Sequence, residues 1–323
     1  MKYVTLGKTG LTVSRIGFGG VSLGGQYGPH SREQNRAAVK KAFELGVTLF
    51  DTSPYYGVPP TRAEVELGNA LQGIPRKDFT LSTKTGRFGD EWFDFSGERV
   101  RGSVYESMSR LKVDYLDIVF IHDYEFEPEP QRILDETIPA LVELKKAGAI
   151  GHIGISGFPL KIFPFILGQT EQISVVLTYA QHTLQNDSVR GLLPYLNQQR
   201  VGIIGGSPTG LGLLTPHGPR PWHPATEEIK ARCAALRGHF GIEGKDLAEL
   251  AMQYAFSIDG IHTILMGTND IGEVERNIAA FDKPIDSASL EKALEILKPV
   301  HNLSWKSGLE RWQGPVEERP GLN

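Results

Sequence analysis

The chain has 323 residues, 40% of them hydrophobic and 22% charged, with a formal net charge of −4. That balance supplies a full-sized apolar core and excludes a disordered chain. The mild acidity excludes the basic footprint of a nucleic-acid or anionic-membrane binder. A single cysteine, Cys233, rules out an internal disulfide, and no apolar run approaches the ~20 residues of a membrane helix. Met1-Lys2-Tyr3-Val4 does not start a signal-peptide core, so a cytoplasmic location is expected. Length alone would allow two domains, but α/β barrels commonly run this long as one.

Residues 3–14 read as a hairpin with Gly7-Lys8-Thr9-Gly10 as its turn. Short apolar runs then recur at Arg15–Gly19, Thr48–Thr52, Phe79–Thr83, Leu116–His122, Ile150–Ile155, Ser174–Thr178, Val201–Gly205 and Thr263–Met266. They are too short for helices and mostly continuous rather than alternating, as expected of buried parallel strands. Helical patterns separate them. Ser31-Arg32-Glu33-Gln34 has capping-box spacing ahead of Ala38, Val39, Ala42, Phe43 and Leu45. Val100, Val104, Met108 and Leu111 form one apolar stripe, and 137–146 is a helix stopped by Gly148. Similar patterns cover 62–71, 159–168 (with Pro164 inside), 188–198, 245–257 and 271–280, and 287–298 adds a C-terminal helix. Eight strand–helix units predict a single (β/α)8 barrel over 1–323, its bottom plugged by the hairpin. The stretch 206–240, rich in Gly, Pro and Trp, is expected to be a long loop over the site.

Barrel chemistry sits at the C-terminal ends of strands. Asp51 ends the second strand, Tyr56 follows five residues into the next loop, Lys84 ends the third and His122 the fourth. A carboxylate, a phenol, an ammonium and an imidazole at successive strand ends suit proton exchange with a carbonyl or alcohol oxygen during hydride transfer, with no metal needed. A free phenol titrates near ~10. Lys84 is expected to lower that of Tyr56, with Asp51 holding Lys84 charged and a neutral His122 orienting the substrate oxygen. Taken singly, each of these residues reads as readily as an ion pair, a structural histidine or loop packing; their joint placement favours function. Asp123 and Glu125 can meet substrate hydroxyls or solvate a loop. Trp92, Trp222 and Trp305 can stack on a sugar ring or anchor loops. His152, His182 and Cys233 read as structural.

Gly46-Val47-Thr48-Leu49-Phe50-Asp51-Thr52-Ser53 with Tyr56-Gly57 and Glu64-Val65-Glu66-Leu67-Gly68, then Ser82-Thr83-Lys84 and Ile121-His122-Asp123, resembles the signature segments of the aldo-keto reductase family. The resemblance runs from Leu6 to Asn277. It implies a nicotinamide-dependent oxidoreductase in which Asp51, Tyr56, Lys84 and His122 form a catalytic tetrad. It implies cofactor contacts at Ser156, at Ser207, Gly210 and Gly212 of Ser207-Pro208-Thr209-Gly210-Leu211-Gly212, and at Gly267, Thr268, Glu273 and Asn277. Three positions depart from the family pattern at the nicotinamide end: Gly157, Leu177 and Gly206 stand where the family carries Asn, Gln and an aromatic. Gly267, Thr268 and Glu273 replace a Lys, a Ser and an Arg that grip a 2′-phosphate. Losing two cations and gaining an anion points to NAD rather than NADP, with Glu273 on a ribose hydroxyl.

Phe93-Asp94-Phe95-Ser96, His122-Asp123-Tyr124-Glu125-Phe126, Trp222-His223-Pro224-Ala225 and Asn302-Leu303-Ser304-Trp305 are similar to the branch of the family that oxidises free sugars. That branch implies oxidation of the anomeric hydroxyl of an aldose of L-galactose, L-fucose or D-arabinose type to its lactone; because sugar hydroxyls need polar partners and sugar rings can stack, Asp123, Trp92 and Trp305 are expected to meet the sugar. Two other outcomes stay open at this stage. One is action on a different aldehyde or alcohol, of pyridoxal type. The other is a redox-sensing cofactor-binding subunit like the potassium-channel β subunits that resemble the family. With no heptad or large amphipathic face, a monomer is expected.

Overall fold

The computed structural model describes residues 1–316. The chain opens with an antiparallel ribbon, β1 (Tyr3–Thr5) and β2 (Thr12–Ser14), joined through a 3-10 turn at Gly7–Thr9. Gly7 has φ 53, and a Cβ there would collide with the backbone of Val201 and Gly202, so glycine is what lets the turn press on the barrel base.

Eight parallel strands follow: β3 (Ile16–Gly19), β4 (Leu49–Asp51), β5 (Thr80–Thr85), β6 (Leu116–His122), β7 (Ile150–Gly157), β8 (Ile173–Tyr179), β9 (Gly202–Gly206) and β10 (Thr263–Met266). They close in sequence order, with Ile16 of β3 paired to Ile264 of β10. The continuous apolar runs have a physical cause in the two buried faces. Leu49, Ile118, Phe120, Val175 and Leu177 cluster inside the barrel, where Leu6 and Val13 of the ribbon meet them from below. Phe50, Val119, Ile121 and Val176 face the surrounding helices in a separate cluster. Apolar residues are thus needed at every position of a strand, not every second one.

The helices are α1 (Arg32–Glu44), α2 (Ala63–Ala70), α3 (Gly97–Leu111), α4 (Ile138–Lys146), α5 (Ile162–Leu167), α6 (Leu193–Gln198), α7 (Glu227–Ile242), α8 (Leu247–Phe256), α9 (Ile271–Ala280) and α10 (Ser287–Leu297). Ser31 caps α1 by accepting the Gln34 N–H, and Val100, Val104, Met108 and Leu111 form the buried face of α3. Pro164 is tolerated because it falls in the first turn of α5, where N–H groups have no helical partner. The expected long loop at 206–240 is corrected: only 207–226 is irregular, and α7 occupies 227–242. Thr226 accepts the Ile229 N–H, and Ile229, Cys233, Leu236 and Phe240 make its buried stripe. Gly238 and Gly241 lower the helix propensity of this segment and mask that stripe. Among the described residues no helix is long and apolar enough to cross a membrane.

Register carries the chemistry to one mouth. Asp51 pairs with Ser82 on β5, Lys84 with Phe120 on β6, and His122 with Ser156 on β7.

Candidate active site

Asp51 and Lys84 form an ion pair at 2.5 Å, with side chains 3% and 1% exposed. Lys84 Nζ also donates to the Thr52 carbonyl at 2.9 Å, and Ser82 Oγ donates to the second Asp51 oxygen at 2.7 Å. This ammonium cannot swing away. It lies 4.9 Å from the centre of the Tyr56 ring, and the His122 ring stands edge-on to Tyr56 at 5.8 Å. The other three side chains singled out from sequence therefore gather around the half-buried phenol of Tyr56.

The expectation that Lys84 lowers the Tyr56 pKa is corrected. Burial pushes the phenol well above its ordinary value, the Asp51 and Asp123 carboxylates push it further, and only the Arg87 guanidinium opposes them. The Lys84 ammonium is paired with Asp51, whose carboxylate offsets its pull on the phenol. In this pocket Tyr56 holds its proton at neutral pH, the state that donates to a carbonyl oxygen.

His122 is the reverse case. Burial, then the charges of Lys84 and Arg87, hold its imidazole well below the usual histidine range, so it is neutral at pH 7. Its tautomer follows from Asp123 and Ser53 together. Ser53 Oγ accepts the Tyr55 N–H at 3.2 Å and lies 3.2 Å from His122 Nδ1. The hydroxyl keeps a second lone pair, so it could serve Nδ1 either way; Asp123 Oδ2, an acceptor 3.5 Å from Nε2, favours the proton on Nε2, and Ser53 then donates to Nδ1. Ser53→Ala is expected to lower kcat about tenfold with little change in substrate KM, because it frees the ring to take the other tautomer. Steady-state kinetics check it; an unchanged kcat would show that the tautomer is set elsewhere.

Around this cluster lies a cleft of about 1460 Å³. Asp123 lines it, with Oδ2 bonded to Arg87 Nη1 at 2.6 Å and 3.5 Å from His122 Nε2. Burial pushes the Asp123 carboxyl up, opposed first by Arg87 and then by Lys84. Arg87 sits over the Tyr55 ring at 4.1 Å, and the Tyr55 hydroxyl donates to Asp90 at 2.7 Å. Tyr179, at the end of β8, also lines the cleft. Trp305 does too, stacked on Phe158 at 4.5 Å.

Two sequence expectations fail on this side. Trp92 is 55% exposed against Phe88 and Arg99 and lines no part of the cleft, because it sits in the turn closed by the Arg87–Phe93 bridge. Glu125 is fully buried off the cleft, accepting the Phe158 N–H at 3.0 Å and the Ser307 hydroxyl at 3.1 Å. Burial and the Asp123 charge push its carboxyl up to about 8. Glu64 of the signature is structural as well: it accepts from Thr83 at 2.6 Å and Arg110 at 2.5 Å. His182 and Cys233 are buried away from the cleft, with the Cys233 thiol pushed up to about 12. Arg87, Tyr55, Ser53 and Tyr179 were not picked out from sequence; the signal for Arg87 was its place three residues beyond a strand-end lysine.

The cleft continues from Ser156, Leu177 and Gly206 along Ser207–Thr209, Leu211 and Gly212 to Gly267, Thr268, Glu273, Arg276 and Asn277. Gly210 is set back from it: its N–H donates to the Ser207 carbonyl at 2.9 Å, and its carbonyl lies 3.0 Å from His223 Nε2, so it is not free for phosphate. Arg220 reaches the Tyr27 carbonyl and Trp222 meets the Tyr27 ring edge-on at 5.5 Å, so the segment after β9 does cross the cleft. These residues fit an extended dinucleotide. The floor at Gly19, Gly206 and Gly267 has no side chains. A flat group can therefore approach the backbone there. At the far end Thr268 donates to Glu273 Oε2 at 2.5 Å, which leaves the other carboxylate oxygen for a ligand hydroxyl.

The family model for the aldo/keto reductase family matches residues 15–298. L-galactose dehydrogenase of Arabidopsis thaliana is 43% identical over 95% of this chain and 97% of its own length. D-arabinose 1-dehydrogenase of Saccharomyces cerevisiae is 31% identical, with 82% of each chain covered. Among solved structures, the holo form of the aldo-keto reductase AKR11C1 from Bacillus halodurans superposes with a TM-score of 0.75 at 26% identity, covering 95% of this chain and 98% of that one. Barrel, strand-end cluster and family model agree, and the chain belongs to the aldo/keto reductase family, whose members are oxidoreductases that use nicotinamide cofactors.

Proposed function

We propose that the protein is an NAD-dependent aldose 1-dehydrogenase that oxidises the anomeric hydroxyl of a free sugar to its lactone. The observation that carries this is the meeting of Lys84 and His122 on Tyr56 in a cleft with a glycine floor on one side and buried polar groups on the other. The sugar class is supported by similarity to L-galactose dehydrogenase and D-arabinose 1-dehydrogenase.

In its phenolate form Tyr56 accepts the O1 proton as the C1–O1 bond becomes a carbonyl, and in reduction the phenol returns it. His122, neutral with Nε2–H toward the cleft, donates to the same oxygen and fixes its position. Asp51 keeps Lys84 charged beneath the phenol ring. Ser156 and Gly206 would hold a nicotinamide, which would supply the hydride acceptor or donor and, when oxidised, a positive charge favouring the phenolate. Cofactor choice rests with Glu273, whose carboxylate repels a 2′-phosphate and can accept a ribose hydroxyl.

Initial rates of NADH formation from L-galactose, L-fucose and D-arabinose, with pyridoxal as the control, test the sugar assignment; no NADH from any of the three sugars overturns it. The same assay with NADP is expected to give a kcat/KM at least about tenfold lower, and equal values would defeat the NAD assignment.

A further inference from the structure

Among the described residues, a carboxyl that lines the cleft beside His122 has one oxygen without a partner. Asp123 is 2% exposed; Oδ2 carries Arg87, whereas Oδ1 is buried with nothing bonded to it. A carboxylate oxygen buried without a donor is costly. No described residue supplies that donor. The Arg87 guanidinium is held over the Tyr55 ring and gives Nη2 to the Tyr55 hydroxyl at 3.2 Å. Asp123 is also locked in place. Its backbone is left-handed, φ 53, immediately after His122, which sets the carboxyl beside the imidazole with Oδ2 3.5 Å from Nε2.

His122 Nε2 is the donor assigned to the reacting oxygen. An oxygen bonded there, at about 3 Å, lies beside Asp123, and the substituent on the adjacent carbon falls within reach of its carboxyl. A carboxylate only accepts, so that substituent must carry a hydrogen to give. We propose that Asp123, held by Arg87, is a specificity site that demands a hydroxyl on the carbon next to the reacting carbon. The enzyme is then selective for 2-hydroxyaldehydes, aldoses among them, over plain aldehydes. This rests on the roles given to His122 and Tyr56, but not on a sugar being the substrate.

Lactaldehyde and propanal differ by that one hydroxyl. With NADH as reductant, kcat/KM for lactaldehyde is expected to exceed that for propanal by about a hundredfold or more, and Asp123→Ala is expected to remove the preference. Equal values in the unaltered protein, or a preference that survives the substitution, overturn the proposal. Because Asp123→Ala strands a buried guanidinium, the double variant Arg87→Met/Asp123→Leu, which removes both charges, is the second arm, and the preference must vanish there too. L-galactose against 2-deoxy-L-galactose repeats the comparison in the oxidative direction. Should neither sugar turn over while the lactaldehyde preference holds, the sugar assignment falls and the specificity site stands.

Discussion

Tyr56→Phe is expected to lower kcat by about 10²–10⁴-fold in both directions, with stability and cofactor KM close to those of the unaltered protein. The substitution deletes one hydroxyl and keeps the ring against Lys84, His122 and Tyr55, so the packing of the site survives. Steady-state kinetics with a thermal-melt control measure it. Activity within a few-fold of wild type would mean that the proton moves through another phenol, and Tyr27, Tyr55 and Tyr179 line the same cleft. The pH profile carries the same information. Because the Tyr56 phenol is pushed up, oxidation should keep climbing into the alkaline range as the phenolate forms. Because His122 is held neutral from well below its ordinary range, no inflection is expected near the usual histidine pKa of ~6.5.

Lys84→Met is expected to cost about 3–5 kcal/mol of stability as well as activity, since it leaves the buried Asp51 carboxylate without its cation. Asp51→Asn/Lys84→Met removes both charges and should regain most of that stability while remaining inactive. Urea denaturation and turnover, measured on the same preparations, separate the two effects. A double variant as unstable as the single one would show that the ion pair is not the source of the loss. A double variant that turns over would show that no cation is needed beside the phenol.

The strands were legible because each is short, apolar on both faces and bounded by glycine or a polar residue, a pattern that only a parallel sheet covered on both sides requires. Asp51, Tyr56, Lys84 and His122 were legible because their chemistry falls at successive strand ends. What escaped depends on contacts between distant segments. Arg87 reads as any loop arginine until the exit of β6 brings Asp123 to 2.6 Å from it. Tyr179 joins the site through a strand end whose neighbour, Gly206, has no side chain. The sign of the Tyr56 shift escaped for another reason: the burial that leads it, reinforced by the Asp51 and Asp123 carboxylates, cannot be read from sequence. The helix α7 was hidden by its own glycines, and Trp92 misled because an aromatic in a loop is equally compatible with either wall of a turn.

The seam that joins Ile16 to Ile264 makes one demand on the newborn polypeptide. Its first barrel strand must wait, edge unpaired, until nearly the whole chain has left the ribosome. Such long-range pairing slows folding and leaves a sticky template open in the meantime. Synthesis rate and chaperone supply, more than the strength of any finished contact, would then govern how much working enzyme a cell obtains.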